Sequence, residues 1–270
     1  MKKVALITGA SAGMGRVTAQ LLAENGYIVY GAARRIKKME NLKLYGVKTL
    51  EMDVTNDHDA VNVVNTIIAA EGRIDVLVNN AGFGLYGAIE DVPITDAKYQ
   101  LDVNVFGAAR LAQLVIPYMR EQHYGKIVNI SSIGGKVAMP LGGWYHASKF
   151  ALEALSDSMR AEVKPFGIDV IVIEPGGVKS EWADIAMGNG VKLSGSGVYK
   201  AMASKFASMS KQLGDKSAEP VVIARMILKA ITSKKTKTRY SGGYMAGPIL
   251  FLRKILSDKV MDRIIANQIK

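Results

Sequence analysis

A tyrosine and a lysine four positions apart are the residues of this sequence best suited to acid–base chemistry. Tyr145 and Lys149 fall one turn apart on a predicted helix, so they share one face. A phenol has a pKa of about 10 and is a poor base near neutral pH, but a nearby ammonium favours the phenolate and lowers that pKa. We expect Lys149 to bring Tyr145 toward the range in which proton transfer is efficient.

Two polar positions elsewhere in the chain give this pair its context. Ser131-Ser132 lies at the end of a predicted strand, and Asn104 lies within the pattern of a long predicted helix. Asparagine is mildly unfavourable inside a helix, which indicates a special partner for Asn104. A Tyr-x-x-x-Lys spacing alone is common by chance, so the prediction depends on these neighbours.

A glycine-rich turn joins the first predicted strand to the first predicted helix. It reads Thr8-Gly9-Ala10-Ser11-Ala12-Gly13-Met14-Gly15. Glycines let the backbone turn sharply and approach a pyrophosphate, and the helix N-terminus then offers free N–H groups to that anion. The spacing G-x-x-x-G-x-G departs from the usual G-x-G-x-x-G order. Its position after the first strand favours nucleotide binding over a packing role.

The end of the second predicted strand indicates which nucleotide is bound. NAD-preferring sites usually place an acid there for the ribose 2′-hydroxyl, but this chain has Arg34-Arg35 and no acid until Glu40. A guanidinium matches the oxygens of a 2′-phosphate. We therefore predict a preference for NADP(H) over NAD(H). The alternative is that the two arginines belong to a solvated basic run with Lys37 and Lys38.

Short β-branched runs alternate with longer helical patterns up to Pro175. The predicted strands are 4–8, 27–32, 47–54, 74–79, 126–131 and 169–174, and the predicted helices are 15–24, 57–70, 95–120 and 144–163. Such alternation is typical of βαβ units. We predict an α/β fold, a single-domain Rossmann-type doubly wound parallel sheet with helices on both faces, formed by residues 1–270.

The pattern loosens after Pro175. Glycines punctuate residues 188–197, and one helix face then carries Val198, Met202, Phe206, Met209 and Leu213. A glycine-punctuated stretch followed by a short amphipathic helix is typical of a mobile lid over a binding site. A surface insertion that packs on the core fits the pattern equally well. The substrate-binding lid would span about residues 176–218.

Composition excludes several classes of function. The chain has no cysteine, which rules out disulfides, thiolate metal sites and cysteine nucleophiles. Its three histidines are far apart and lack ligand spacing, so we expect no metal site. No signal-peptide core and no run of about 20 apolar residues is visible, and the cytoplasm is the expected compartment.

The net charge of +11 is concentrated near the C-terminus. Residues 221–270 hold eleven Lys/Arg against two acids, a net of +9, so residues 1–220 carry a net of +2. A near-neutral body argues against nucleic acid as a partner. The basic helical tail, about residues 246–270, could pack on the body, meet another subunit or lie on an acidic membrane. We expect packing, because its apolar stripe is short; peripheral membrane contact is the less favoured alternative.

Together, these motifs resemble the short-chain dehydrogenase/reductase family. The matching positions, in the family's order, are Thr8-Gly9-x-x-x-Gly13-x-Gly15, Asp53-Val54, Asn79-Asn80-Ala81-Gly82, Asn104, Ser132, Tyr145-x-x-x-Lys149 and Pro175-Gly176. The segment Thr238-Arg239-Tyr240 and the tail are also similar to the branch that includes 17β-hydroxysteroid and retinol dehydrogenases. That similarity suggests an apolar substrate.

The resemblance implies a role for each matching position. Tyr145 would be the general acid or base, and Lys149 would hold the nicotinamide ribose and tune Tyr145. Ser132 would hydrogen-bond the substrate oxygen, and Asn104 would anchor a water that relays protons past Lys149. The cofactor would also be met by Gly9, Ser11, Gly13, Met14, Gly15, Arg34, Arg35, Asp53, Val54, Asn79, Ala81, Gly82, Pro175, Gly176, Val178 and Ser180. Position 180 is often threonine in the family. Ser180 keeps the hydroxyl group.

The function implied by the resemblance is NADP(H)-dependent hydride transfer to or from a carbonyl or secondary alcohol of a small molecule, in a homodimer or homotetramer. The alternative is a non-catalytic NADP-sensing regulator, but such proteins typically lose the tyrosine or the lysine.

His146 faces about 100° away from Tyr145 on an ideal helix and is interpreted as a packing or surface residue. Candidates for an apolar substrate wall, each equally able to be core, are Met139, Leu141, Trp144, Trp182 and Met187.

Overall fold

The computed structural model describes the backbone of residues 2–269 and the side chains of residues 2–181, 185, 186, 188–209 and 214–267. Over residues 2–269 the strands are β1 (Val4–Thr8), β2 (Ile28–Ala33), β3 (Lys48–Glu51), β4 (Val76–Asn79), β5 (Gly125–Ile130), β6 (Ile168–Pro175) and β7 (Arg239–Gly242). The α-helices are α1 (Gly13–Glu24), α2 (Asp57–Glu71), α3 (Ile94–Leu101), α4 (Gly107–Glu121), α5 (Gly143–Val163), α6 (Glu181–Ser194), α7 (Lys200–Gly214), α8 (Pro220–Thr232), α9 (Ala246–Ile255) and α10 (Asp258–Ile269).

The strands form one parallel sheet in the order β3-β2-β1-β4-β5-β6-β7. The order reverses between β1 and β4, which opens a crevice outside the carboxyl ends of these strands. Ligands of doubly wound folds bind in such a crevice. The predicted fold class is therefore confirmed, and the fold points to this edge of the sheet as the site.

Successive residues of each strand supply two apolar layers, one on each face of the sheet. Leu6 packs in one layer with Leu111 of α4, and Ile7 packs in the other with Ile227 of α8. These side chains are fully buried. A sheet covered on both faces requires strands that are apolar almost throughout, which is the pattern of β1 and β4.

Two stretches differ from the predicted helices. The helix predicted over residues 95–120 is divided into α3 and α4 by a π-helical turn, Asp102–Phe106, which contains Asn104. The glycine-punctuated stretch predicted before the amphipathic helix is itself helical, because α6 runs through Gly188-Asn189-Gly190. At Gly190 an added Cβ would lie 3.2 Å from the Cβ of Tyr86, so glycine permits a close approach there.

The C-terminal tail consists of α9 and α10. Met261 is buried, while Phe251 and Ile255 are exposed. The Nε of Arg253 donates to the Lys136 carbonyl oxygen (3.3 Å), and its Nη1 donates to Asp258 (2.6 Å). The first contact attaches the tail to the body at Lys136, and the second joins α9 to α10. Among the residues described, no helix is both long enough and apolar enough to cross a bilayer.

Candidate active site

The glycine turn after β1 is held by the segment that follows β4. The Thr8 hydroxyl accepts from the backbone N–H groups of Asn80 (3.0 Å) and Ala81 (2.9 Å), and Asn80 Nδ2 donates to the Thr8 carbonyl oxygen (2.9 Å). Gly9 has a φ of +66°, and a Cβ there would lie 2.8 Å from Asn80 Nδ2. Only glycine fits this position without strain.

The N-terminus of α1 has the properties of an anion site. Its N-cap residue, Ala12, has no side chain that could satisfy the first N–H groups, and the first turn holds no acid. Free N–H groups and the positive end of the helix dipole favour a phosphate at this point. The pyrophosphate of a dinucleotide therefore fits the turn. Ser180 lies against it, since a Cβ on Gly13 would be 3.3 Å from the Ser180 Cβ.

A cluster of cations lies beside this turn. Nη2 of Arg35 lies 3.4 Å from the Ser11 hydroxyl, and its Nη1 donates to the Glu181 carboxylate (3.0 Å). Lys38 donates to the other Glu181 oxygen (3.0 Å). These contacts join the first residue of α6 to the segment after β2. Neither Lys38 nor Glu181 was singled out as a site residue from the sequence.

Arg34 points elsewhere. Its Nη1 donates to the Tyr99 hydroxyl (2.8 Å) and lies 3.8 Å from a carboxylate oxygen of Asp53, which follows β3. The two arginines therefore diverge, one toward the glycine turn and one toward Asp53. Both lie at the carboxyl edge of the sheet, after the second strand, as the sequence indicated.

The remaining predicted cofactor residues are tied into the same edge. The amide of Asn79 is buried and donates to Ala108 O (3.1 Å) and to Asn129 Oδ1 (2.9 Å), so this side chain bonds inside the protein. Gly176 N donates to Gly242 O (2.8 Å). Three of the predicted cofactor residues are partly buried and pack against the two core layers: Met14, Val54 and Val178.

Asn104 has special hydrogen-bond partners, as its position in the sequence indicated. It is 1% exposed, its Nδ2 donates to Phe83 O and to Ser148 Oγ (both 2.9 Å), and its Oδ1 accepts from Phe83 N (3.0 Å). The π-helical turn presents this side chain to the loop after β4. Single π-helical turns inside α-helices are frequent at functional sites.

Tyr145 and Lys149 share one face of α5, and this face is buried, because each residue is only 7% exposed. Lys149 Nζ donates to the Ile130 carbonyl oxygen (2.8 Å) and lies 6.0 Å from the centre of the Tyr145 ring. Ser132 Oγ accepts from Gly134 N (3.0 Å) and lies 3.5 Å from the Pro175 carbonyl oxygen. The structure thus brings the ends of β5 and β6 together with the tyrosine and the lysine.

The pKa of Tyr145 is shifted in the direction opposite to the one expected from the sequence. Burial raises the pKa of Tyr145 to about 12, although a hydrogen bond with Ser132 lowers it. Burial also lowers the pKa of Lys149 to about 8, against an opposing effect of Glu153. Desolvation disfavours a charge on either group and outweighs the expected effect of the lysine on the phenol. At neutral pH the phenol therefore keeps its proton.

An aromatic stack covers Tyr145. The ring of Tyr86 stacks on Tyr145 (5.7 Å between centroids) and on Phe206 of α7 (5.3 Å). Of the two rings that cover Tyr145, Phe206 belongs to a motif singled out from the sequence and Tyr86 does not. Because Tyr145 is buried under this stack, a substrate reaches it only by displacing part of the cover.

Beyond the stack lies a cavity of about 420 Å³ with a largely apolar lining. Its walls are formed by Ala88, Ile89, Glu90, Pro140, Leu141, Tyr199 and Met202. Leu141 and Met202 also pack in one cluster with Phe206, which connects the cavity wall to the stack. Of the predicted substrate wall, Leu141 lines the cavity and Trp144 packs with Leu85 instead. The side chains of Trp182 and Met187 lie outside the described residues.

His146 is a buried packing residue. Its Nδ1 lies 3.0 Å from the Gly134 carbonyl oxygen, and its ring meets the Tyr145 ring edge-on at 5.5 Å between centroids. Burial lowers its pKa, so the ring is neutral near pH 7. No group of three or more potential metal ligands occurs among the described side chains.

Comparison with known proteins defines the class. The family model for the short chain dehydrogenase matches residues 3–186. A short-chain dehydrogenase from Streptomyces avermitilis has a solved structure that is 32% identical, with a TM-score of 0.82 over 99% of this chain and 94% of that one. The chain therefore belongs to the short-chain dehydrogenase/reductase family. It is an oxidoreductase of CH–OH and C=O groups that uses a nicotinamide cofactor.

Two relatives have more specific names. A 3-ketodihydrosphingosine reductase of Bacteroides thetaiotaomicron is 45% identical over 182 residues, 67% of this chain and 66% of that one. The chain thus matches about two-thirds of that reductase. An NADPH-dependent 3-dehydrocapnine reductase of Ornithobacterium rhinotracheale is 31% identical over 99% of this chain and 98% of that one.

Proposed function

We propose that the protein is an NADP(H)-dependent reductase of a ketone attached to a long apolar chain, such as a 3-keto long-chain base. The observation that carries the proposal is the buried pair of a protonated Tyr145 and Lys149, covered by aromatic rings that adjoin an apolar cavity. The names of the two relatives support the substrate class, because both specify a 3-keto or 3-dehydro compound.

In this mechanism a bound NADPH supplies the hydride. Tyr145 holds a proton on Oη at neutral pH and donates it to the carbonyl oxygen as the alcohol forms. The Lys149 ammonium then stabilises the phenolate that remains. Ser132 orients the substrate oxygen, and Asn104 holds the loop after β4 against α5 through Phe83 and Ser148. A neutral phenol suits reduction, since the proton is present before the carbonyl arrives.

The preference for NADP(H) is assigned to the cations after β2. Arg35 lies beside Ser11 of the glycine turn, Lys38 shares the Glu181 carboxylate with Arg35, and Arg34 lies beside Asp53. Their guanidinium and ammonium groups match a 2′-phosphate, whereas a site for an unphosphorylated ribose would be expected to carry an acid. The NADPH named in one relative supports the same choice.

The segment formed by α6 and α7 is proposed as the lid of the substrate site. Phe206 of α7 covers Tyr86, and Ser180 and Glu181 at the start of α6 meet the cofactor side of the crevice. The segment therefore contacts both halves of the site.

We also propose a homodimer or homotetramer built on α4 and α5. Phe106, which directly precedes α4, and Phe150 on α5 are both exposed.

The decisive test is Tyr145→Phe, assayed by NADPH oxidation with 3-ketodihydrosphingosine and with a panel of simple ketones. We expect turnover to fall at least 100-fold, because general acid catalysis typically contributes 10²–10⁴-fold. The Kd for NADPH should stay within about threefold, since the pyrophosphate is held by the glycine turn. Tyr45→Phe, at an exposed tyrosine, is the matched control. Turnover by Tyr145→Phe at the wild-type rate would overturn the mechanism.

A further inference from the structure

A charge cluster built around the buried residues Glu153 and Glu174 lies beyond Lys149. Glu153 follows Lys149 on α5 by four residues, one helical turn, and Asp157 follows by one turn more. Glu153 is 4% exposed, and its Oε2 lies 2.8 Å from Lys136 Nζ and accepts from Arg239 Nε (3.0 Å). Its Oε1 is buried and has no hydrogen-bond partner among the described residues.

The cluster contains more carboxylates than a simple ion pair requires. Arg239, on the edge strand β7, also donates to both oxygens of Asp157 (2.7 and 2.8 Å) and lies 3.5 Å from Glu174 of β6. Glu174 is buried as well, and burial together with Glu153 raises its pKa. Three carboxylates thus share the cations Arg239 and Lys136, with Arg160 beside Asp157 (2.7 Å).

Glu153 lies one helical turn from Lys149, and Gly135 packs beside both residues. A Cβ on Gly135 would lie 3.0 Å from the Glu153 Cγ and 3.1 Å from the Lys149 carbonyl oxygen, so no side chain of residue 135 can enter there. Glu153 is the charged residue that raises the pKa of Lys149 against the effect of burial. Tyr145 and Glu153 are the titratable neighbours of the lysine on α5. Those that adjoin Glu153 are Lys136 after residues 133–135, Glu174 on β6 and Arg239 on β7, and His146 lies beside Tyr145.

We propose that Glu153 is a positioning residue for the reaction: its buried carboxylate keeps the Lys149 ammonium charged, while Lys136 and Arg239 limit the strength of this effect. A buried lysine tends to lose its proton, and a neutral amine could not stabilise the phenolate of Tyr145. A carboxylate one helical turn away opposes that loss. The inference rests on the proposed function, since it assigns the charge of Lys149 a task in catalysis.

The alternative is that the cluster only fastens β7 to α5. Two substitutions separate the alternatives, because they act on Lys149 in opposite directions. Glu153→Gln removes the negative charge and should move the alkaline limb of the kcat–pH profile down by about one pH unit. Lys136→Met removes a cation that offsets Glu153 and should move the same limb upward. A purely structural role predicts no displacement in either variant.

Asp157→Asn is the matched control. It disturbs the same Arg239 one turn further along α5 but leaves Glu153 beside Lys149. The alkaline limb of the kcat–pH profile of this variant should stay within about 0.3 pH units of the wild type. In Glu153→Asp the limb should be displaced less than in Glu153→Gln. Equal displacement in Asp157→Asn and Glu153→Gln, or none in Glu153→Gln and Lys136→Met, would overturn the proposal. If Glu153→Gln fails to fold, Lys136→Met alone decides.

A second measurement separates this proposal from the proposed function. The ¹³Cε chemical shift of Lys149 in labelled protein, assigned with Lys149→Arg, reports its pKa without turnover. We expect the shift to titrate at lower pH in Glu153→Gln and at higher pH in Lys136→Met, with NADPH bound or absent. If no ketone is reduced by the wild type, the proposed function fails, and this titration still supports or overturns the assignment of Glu153.

Discussion

Replacing Asn104 with alanine tests whether its side chain holds the π-helical turn in place. In the wild type, Asn104 serves the N–H and the carbonyl oxygen of Phe83 and also the Ser148 hydroxyl. After Asn104→Ala, Phe83 O keeps a donor, since Gln100 Nε2 also donates to it (3.1 Å). Phe83 N loses its acceptor, and the Ser148 hydroxyl still donates to Tyr145 O (2.7 Å).

The expected loss of stability follows from these hydrogen bonds. An unsatisfied buried donor costs about 1–3 kcal/mol, and each intramolecular hydrogen bond contributes about 0.5–1.5 kcal/mol. Because the Phe83 N–H is only part-buried, the lower half of the first range applies. We expect Asn104→Ala to lower the free energy of unfolding by about 2–3 kcal/mol. Turnover should fall as well, because the loop after β4 and the backbone of Tyr145 lose a common support.

The assay is urea unfolding followed by circular dichroism, with the free energy extrapolated linearly to water. Gln100→Met is the control, since it keeps the approximate side-chain volume, removes one donor to the same Phe83 oxygen and leaves Asn104 intact. The control should stay within about 1 kcal/mol of the wild type. If Asn104→Ala costs no more than Gln100→Met, the turn is held by backbone and packing, and our reasoning is wrong.

Two further predictions concern ligand binding. Arg34→Ala and Arg35→Ala should each weaken NADPH about ten- to a hundredfold and NADH little, because a charge-assisted bond is worth roughly 1.5–3 kcal/mol; calorimetry giving equal losses for both cofactors would contradict the 2′-phosphate assignment. Phe206→Ala should raise KM for a long-chain ketone about tenfold and leave the NADPH Kd unchanged, since it removes apolar contact area. Val198→Ala, at an exposed position, is its control, and an unchanged KM would separate Phe206 from the substrate path.

Most of the sheet could be predicted because buried parallel strands are short and almost uniformly apolar. Six strands lie within a few residues of their predicted positions, but β7 was missed. Arg239–Gly242 contains arginine, serine and glycine, and its side chains are half-buried or exposed. Its pairing with β6 depends on a tertiary contact at the edge of the sheet. Local patterns carry no signal for such a strand.

The site was predictable to the extent that it lies at the ends of strands and on one helix face. Tyr86 could not be predicted as the cover of Tyr145, because the two residues are far apart in the sequence and only the tertiary packing stacks their rings. The pairing of Glu181 with Arg35 and Lys38 joins segments far apart in the chain. The raised pKa of Tyr145 also depends on burial, which a four-residue spacing cannot report.

The strand order explains why the chemistry is divided between strands and helices. The carboxyl ends of β1, β2 and β4 provide a glycine turn, cations and a loop, which are groups suited to holding a nucleotide. The segment after β5 carries Ser132, the hydroxyl proposed to orient the substrate oxygen, and β6 ends beside it at Pro175. In the proposed mechanism the proton comes from Tyr145, whose charge partner is Lys149, and the two need a rigid helix to share one face. Asn104 then connects that helix to the nucleotide side through Phe83, so a change in either half should be detected in the other.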